Sequence, residues 1–157
     1  MVIDVESLEA TPKKVELSMS SYRGMPPAHS LEKYAPYAGD QGQFGTCVAF
    51  ACAYSAATIA YAQTHNITDR AKITKLVYSP TYLFHSIEPT KSDCNGANPI
   101  SAVLFLTKQG APFMRTVPYA CGRFWNETAE KEARSYRLSD AHLFTVGLIP
   151  RQLAAAL

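Results

Sequence analysis

The sequence predicts a mainly α-helical domain in which three helices surround one buried helix. An apolar segment without a charged residue runs from position 44 to position 64, which is long enough for a central helix. Ser79 directly before Pro80 predicts a second helix with a serine N-cap and proline at its first position. A third helix is predicted from Pro99 to about Gln109, with Gly110 as its C-cap, and residues 127–134 form a helix-like run that is expected to be a solvated face. Residues 69–75 are expected to be a polar connection.

The central helix is expected to be buried all round, because residues 48–62 are apolar on nearly every side. Thr46 is the predicted N-cap, which places Cys47 in the first helical turn. Unpaired N–H groups and the positive end of the helix dipole favour an anion there. A thiolate is the nucleophilic form of cysteine, so Cys47 is a candidate nucleophile.

A second polar group precedes this cysteine. Gln41 is separated from it by a loop whose two glycines, Gly42 and Gly45, allow the backbone to fold tightly. The Gln41 side-chain amide can donate a hydrogen bond beside the sulfur, where an oxyanion develops during acyl transfer. Cys47 and Gln41 are therefore predicted as the catalytic pair, a nucleophile and half of an oxyanion hole.

Residues 41–50, Gln-Gly-Gln-Phe-Gly-Thr-Cys-Val-Ala-Phe, resemble the active-site segment of the papain-like cysteine peptidases. That segment has the pattern Gln-Gly-x-Cys-Gly-Ser-Cys-Trp-Ala-Phe. Thr46 stands in place of the serine and Val48 in place of the tryptophan. Phe44 replaces a half-cystine, so the disulfide that usually anchors this loop cannot form. The resemblance implies peptide-bond hydrolysis through a thioester acyl-enzyme.

A second motif supports the same resemblance. Residues 93–97, Asp-Cys-Asn-Gly-Ala, are similar to the Gly-Cys-Asn-Gly-Gly loop that lines the substrate cleft in this family. An ordinary Asn-Gly turn is the alternative. Residues 117–119, Val-Pro-Tyr, resemble a Tyr-Pro-Tyr phrase of the family. The resemblance implies a substrate-binding set formed by Gly45, Thr46, Cys94, Asn95, Gly96 and Ala97.

The remaining cysteines divide into two groups. Cys52 lies inside the predicted central helix and is expected to be a small core side chain. Cys94 and Cys121 lie in loops where disulfides of the family cluster, and the usual partner of Cys94 has become Phe44. The resemblance therefore implies a Cys94–Cys121 disulfide, and its formation depends on the redox state of the compartment.

The resemblance covers roughly residues 28–157, which correspond to the helical left-hand half of a papain-like fold. In that family a β-barrel half carries the histidine that activates the cysteine and the asparagine that orients it. Those residues follow the cysteine by roughly 130–150 positions, which is beyond Leu157. We therefore expect that the barrel half is missing, that the chain is a truncated piece, and that it is inactive alone.

None of the four histidines occupies the family position of the activating imidazole. His142 is the weak alternative, but residues 139–144 resemble the crossover strand between the two halves. His29 is expected to be a surface residue and His85 a satisfied or exposed helix residue, while His65-Asn66 is the expected end of the central helix. Residues 1–27 are expected to form an extended lead-in, either a surface arm or an inhibitory segment.

Composition limits the class of protein. Hydrophobic residues make up 47% of the chain, which favours a folded domain. A net charge of +2 without a basic run gives no prediction of nucleic-acid or anionic-membrane binding. Neither a signal peptide nor a transmembrane segment is predicted, and no cofactor or metal motif is seen. The compartment is not determined by these features.

The favoured interpretation is a cysteine endopeptidase that acts on a peptide or protein substrate. A non-catalytic papain-like binding or scaffold module is the first alternative. A thiol acyl-transferase with the same Gln-to-Cys spacing, such as a bacteriocin-processing peptidase, is the second. The Cys94 loop and the Pro118-Tyr119 pair argue against that second alternative.

Overall fold

The computed structural model describes residues 13–14, 28, 30–122, 124–139 and 143–144. A 3₁₀ turn, Glu32–Tyr34, precedes the central helix α1. Helix α1 consists of three continuous segments, Cys47–Ala49, Phe50–Ala57 and Thr58–Thr64. The later helices are α2 (Arg70–Thr74), α3 (Pro80–Ile87), α4 (Pro99–Lys108) and α5 (Glu127–Ser135). The strands are β1 (Lys13–Lys14) and β2 (Leu143–Phe144).

Helix α1 is buried on one face only. Ala49, Ala53 and Ala57 are buried, whereas Ala51 and Ala56 are exposed. The prediction of burial all round was wrong, because alanine is compatible with a core face and with a solvent face alike. The buried face packs against α3 and α4.

The middle segment of α1 is π-helical, with a wider turn than an α-helix. Just after it, the Thr58 hydroxyl donates to the Ala53 carbonyl five residues earlier, at 3.3 Å. The same hydroxyl accepts the Tyr78 N–H at 3.2 Å, and Thr58 is fully buried. This threonine thus connects the interior of α1 to the chain that leads into α3.

Side-chain caps define where the other helices begin. Ser79 accepts the Tyr82 N–H at 3.1 Å and Pro80 is the first residue of α3, as predicted. Asn98 caps α4 in the same way by accepting the Ile100 N–H at 2.9 Å. The predicted third helix is thus present, and it ends at Lys108.

The polar connection predicted for residues 69–75 is a short helix instead. The Asp69 carboxylate accepts the N–H groups of Ala71 and Lys72 at 2.9 and 3.1 Å and thereby starts α2. Ile73 is fully buried and fastens this helix to the core. Arg70 and Thr74 also bond the backbone of Pro36 and Tyr37, so a segment of mostly polar residues is attached to the domain at several points.

Helix α5 was predicted as a solvated face, which is true of only part of its surface. Its Ala129 and Ala133 are buried, while Lys131 and Glu127 form an exposed ion pair at 3.3 Å. Exposed pairs of this kind add little stability. The two alanines therefore attach α5 to the domain.

The two strands pair in parallel, with Lys13 opposite Leu143 and Lys14 opposite Phe144. They fall in the predicted lead-in and in the segment that resembles a crossover strand. His29, His142, residues 145–157 and the rest of the lead-in lie outside the described residues. Among the residues that are described, no helix combines the length and the apolar character needed to cross a bilayer.

The core joins the alanine face of α1 to larger side chains from α3, α4 and the segment before α5. Its fully buried large members lie close together, and they are Leu83, Phe84, Leu106, Phe113 and Val117. Small residues on one helix and large ones on its neighbours allow the close packing typical of protein interiors.

We predict that Gly110→Ala destabilises the domain far more than Gly42→Ala. Both glycines have positive φ, +76° and +59°, which costs a residue with a Cβ about 1–2 kcal/mol. A Cβ on Gly110 would also overlap the Ala133 carbonyl oxygen and lie 2.8 Å from that of Tyr136, whereas nothing lies within 4 Å at Gly42. The free energy of unfolding should fall by about 3 kcal/mol or more for Gly110→Ala. Urea unfolding measures both variants, and equal losses would contradict this account of Gly110.

Candidate active site

Cys47 is the first residue of α1, and its free thiol is exposed. Thr46 occupies the N-cap position as predicted, but its side chain makes no capping hydrogen bond. The Thr46 hydroxyl instead bonds the Tyr119 hydroxyl at 2.8 Å. The first N–H groups of a helix have no partner within the helix, so this arrangement leaves them uncapped by Thr46.

The loop before Cys47 is folded on itself. Gln41 Nε2 donates to the Phe44 carbonyl at 3.0 Å, and the Gly42 N–H donates to Asp40 Oδ1 at 2.7 Å. A primary amide carries two N–H donors, so one donor of Gln41 remains beyond the Phe44 bond. The loop thus fixes the amide and still leaves it a hydrogen to donate.

The loop of residues 41–46 lies directly against the Cys94 loop, residues 93–97. The Gly96 N–H donates to the Gly45 carbonyl at 2.8 Å, and Gly45 pairs with Asn95 in a short parallel bridge. A Cβ on Gly45 would overlap Asn95 Oδ1 and lie 3.1 Å from Asn95 Cα. Glycine at position 45 is therefore required by the closeness of the two loops. The structure brings together these members of the predicted substrate-binding set.

Backbone groups in the Cys94 loop are partly engaged within the protein. Cys94 and Gly96 both have positive φ, 51° and 75°. Lys91 Nζ donates to the Gly96 carbonyl at 2.8 Å. Since the Gly96 N–H bonds Gly45, both backbone groups of Gly96 are occupied. Ala97 is buried, at 7% exposure.

Cys94 and Cys121 form a disulfide, with their Cα atoms 5.8 Å apart. This is the pair that the resemblance implied. The bridge joins the loop beside Gly45 to the residue that follows Ala120, and so reaches the segment that contains Tyr119. Cys52 is half-buried at the edge of the core, and burial raises the pKa of its thiol.

His85 is buried beside this disulfide. Its Nε2 accepts the Gly122 N–H at 2.9 Å and lies 3.3 Å from Cys94 Sγ. The ligand atoms of His85, Cys94 and Cys121 lie within 4.8 Å of one another, a spacing that suits a metal ion. In the disulfide state the two sulfurs are bonded to each other and Nε2 is occupied, so this donor set is not free to bind one. His85 is thus a satisfied helix residue, as expected.

His65 is the C-cap of α1, in agreement with the predicted helix end at His65-Asn66. It is exposed, its ring stacks on that of Tyr61 at 4.0 Å, and its Nδ1 lies 2.8 Å from the Tyr61 carbonyl oxygen.

Tyr119 is the site residue that sequence reasoning missed. Its hydroxyl donates to the Gln41 carbonyl at 2.7 Å and contacts Thr46 Oγ1 at 2.8 Å. The residues that it joins are 78 and 73 positions away in sequence. The similarity of residues 117–119 to a family phrase was the only signal at this position, and it does not indicate what the hydroxyl bonds.

Comparisons with known proteins identify the fold. No family model matches the sequence, and no curated protein matches it. Xylellain, a cysteine protease from Xylella fastidiosa, superposes with a TM-score of 0.66 at 17% identity, over 92% of this chain and 56% of that chain. The fold is papain-like.

A second structure, from work on the mite allergens Blo t 1 and Der p 1, has a TM-score of 0.55 at 17% identity. It is matched over 79% of this chain and 40% of that chain. The chain therefore spans little more than half the length of xylellain and less of the mite protein. The papain-like fold confirms the predicted helical architecture, and the missing barrel half stays a prediction.

We predict that iodoacetamide labels Cys47 faster than Cys52. Cys47 is exposed, while Cys52 is half-buried and has a raised pKa, which lowers its thiolate fraction near neutral pH. The difference should be largest below neutral pH and should narrow as the pH rises and Cys52 ionises. Peptide mass mapping across pH measures it, with Cys47→Ala and Cys52→Ala as paired controls. Equal labelling at both positions would remove the support for Cys47 as nucleophile.

The disulfide should contribute substantially to stability. Its cysteines are 27 positions apart, for which the chain-entropy model gives about 3–4 kcal/mol. The Cys94→Ser/Cys121→Ser variant should lose about that much free energy of unfolding, measured in urea without reductant. The unaltered chain in reductant should approach the variant. A loss below about 1 kcal/mol would show that the bridge does little to restrict the unfolded chain.

Proposed function

We propose that this chain is the nucleophile-bearing part of a cysteine endopeptidase. The observation that carries the proposal is the placement of the exposed Cys47 thiol at the start of α1, directly after a loop with a fixed amide donor. The Cys94 loop, which resembles the substrate-binding loop of the family, contacts the loop before Cys47 through Gly45. The papain-like fold supports this assignment, because xylellain, which shares the fold, is a cysteine protease.

The proposed chemistry begins with attack of Cys47 Sγ on the carbonyl carbon of a peptide bond. The negative charge that develops on the carbonyl oxygen is held by the Cys47 N–H and by the second N–H of Gln41. Collapse of this intermediate breaks the C–N bond, and the amine leaves with a proton. The acyl group remains on sulfur as a thioester until water hydrolyses it.

The Cys94 loop is proposed to bind the substrate in an extended conformation. Gly96 already uses its N–H on Gly45 and its carbonyl on Lys91. The Asn95 N–H also bonds Asp93 Oδ1, at 3.3 Å. Main-chain pairing with a peptide therefore falls to the Asn95 carbonyl and to Ala97. Gly45 and Thr46 contribute by fixing the edge of the cleft nearest the sulfur.

Departure of the amine requires a general acid, and an imidazolium serves that role in Cys–His catalysis. Of the histidines that the structure describes, His85 accepts the Gly122 N–H and His65 is engaged with Tyr61. We therefore propose that the activating histidine and its asparagine belong to a barrel half that completes the site. Phe44, 39% exposed beside Cys47, is an apolar side chain for that half to cover.

We predict that residues 1–157 cleave a fluorogenic peptide at the background rate. A polypeptide extended past Leu157 through a downstream histidine and asparagine, where the gene encodes them, should show turnover. Cys47→Ala should abolish this turnover, whereas Cys52→Ala should retain it. Cys52 is half-buried in the middle of α1 and has no role in the proposed reaction.

Two results would contradict the proposal. Cys47-dependent turnover by residues 1–157 alone would show that the base lies within this chain, with His142 as the leading candidate. If the polypeptide extended past Leu157 binds a peptide but shows no Cys47-dependent turnover, the non-catalytic binding module would be favoured instead.

A further inference from the structure

The Tyr119 hydroxyl connects the two ends of the active-site loop. It is 2.7 Å from the Gln41 carbonyl oxygen and 2.8 Å from Thr46 Oγ1. A carbonyl oxygen only accepts, so the single phenolic proton is donated to Gln41 and the Thr46 hydroxyl must donate to Tyr119. One side chain thus bonds the residue that carries the amide donor and the residue that precedes the nucleophile.

The aromatic ring of Tyr119 is itself held in place. It meets the Phe50 ring edge-to-face, with centroids 4.8 Å apart, and the Phe44 ring at 6.3 Å. Edge-to-face pairs of this kind are favourable. Phe50 lies in α1 and Phe44 in the loop, so the ring contacts both elements that its hydroxyl connects.

The backbone around Tyr119 is fixed to helix α3. Thr81 Oγ1 accepts the Ala120 N–H and donates to the Ala120 carbonyl, both at 2.9 Å. One turn later on α3, His85 accepts the Gly122 N–H. Cys121, between them, is bonded to Cys94. These contacts give Tyr119 a rigid base from which to hold the loop.

The loop needs such a support. Phe44 stands where the resemblance expects a half-cystine, so no disulfide can anchor the loop at that position. The bonds from Asp40 to Gly42 and from Gln41 to Phe44 are internal to the segment. Attachment to the rest of the domain comes through Gly45 on one side and through Tyr119 on the other.

Tyr119 also affects the helix terminus. A threonine at an N-cap usually accepts the N–H of the second or third helical residue. Here the Thr46 hydroxyl is directed to Tyr119, and it makes no capping bond. The N–H groups of Val48 and Ala49, which an N-cap side chain would accept, are therefore not bonded by Thr46.

We propose that Tyr119 is a positioning residue for this site. Its hydroxyl sets the position of Gln41 relative to Thr46 and hence to the start of α1, where Cys47 lies. The inference rests on the proposed function, since it assigns Tyr119 a role in acyl transfer to Cys47. Tyr119 acts through Gln41 and Thr46 and is not proposed to touch the substrate.

The test uses the Tyr119→Phe variant of the full chain with a p-nitrophenyl ester of a blocked amino acid. Attack of Cys47 forms the S–C bond and breaks the C–O bond. The p-nitrophenolate leaves with the electron pair, and the thiol proton passes to solvent. This leaving group needs no general acid, so acylation is measurable without the barrel half as a burst of one p-nitrophenolate per Cys47.

We expect Tyr119→Phe to slow Cys47 acylation by about tenfold, because a displaced donor stabilises the oxyanion less well. Alkylation of Cys47 by iodoacetamide forms no oxyanion, so its rate should change by less than about twofold. Tyr37→Phe is the matched control, because it removes a phenolic hydroxyl from an exposed side chain outside the site. Both of its rates should equal those of the unaltered chain.

The outcomes separate the two proposals. Unchanged acylation in Tyr119→Phe, an equal fall in acylation and alkylation, or a variant that is unfolded by circular dichroism would overturn the positioning role alone. Lack of acylation in the unaltered chain beyond that of Cys47→Ala would overturn the proposed function and the role of Tyr119 with it. A selective fall in acylation supports both.

Discussion

Close packing of the alanine face of α1 against α3 and α4 is the constraint on which the rest of the structure depends. Ala49, Ala53 and Ala57 are buried there, and short side chains bring neighbouring helices near. Because Ala49 lies only two residues beyond Cys47, the core fixes the position of the helix start. The thiol therefore projects from a rigid element, while the loop before it supplies the amide donor. A larger side chain on this face would displace Cys47 as well as the core.

Helix α3 connects that core to the other side of the candidate cleft. Its Thr81 and His85 side chains fix the backbone at Ala120 and Gly122, between which Cys121 is bonded to the Cys94 loop. The loops that carry Gln41 and Cys94 are thus both attached, through residues 119–122, to helix α3, which itself packs on α1. Such mutual support is how a site built on loops reaches the precision that acyl transfer needs.

The parts of the fold that local sequence determines were predictable, and the long-range contacts were not. Ser79-Pro80 and Pro99 marked two helix starts because caps act over three or four residues. Helix α2 was missed because residues 69–75 are mostly polar, which favoured a connection, and the Asp69 side chain was not recognised as an N-cap. Nothing in the sequence indicated the π-helical turn of α1.

In the candidate site, a local motif indicated Cys47 and Gln41, and likeness to a family loop indicated Cys94. The Tyr119 bonds were beyond prediction, because they join residues that only the fold brings together.

Because Phe44 stands where the family has a half-cystine, the two loops of the candidate cleft are attached to the domain in different ways. The Cys94 loop is held covalently through Cys121, whereas the Cys47 loop is held by hydrogen bonds and by the contact of Phe44 with Tyr119. An exposed free thiol, Cys47, and a disulfide thus coexist in one small domain. Thiol–disulfide exchange requires access to a sulfur, and Cys94 is only 1% exposed. Attack is therefore confined to the half-buried Cys121, so the core that positions Cys47 shields the Cys94 sulfur but not the whole bridge from external thiols.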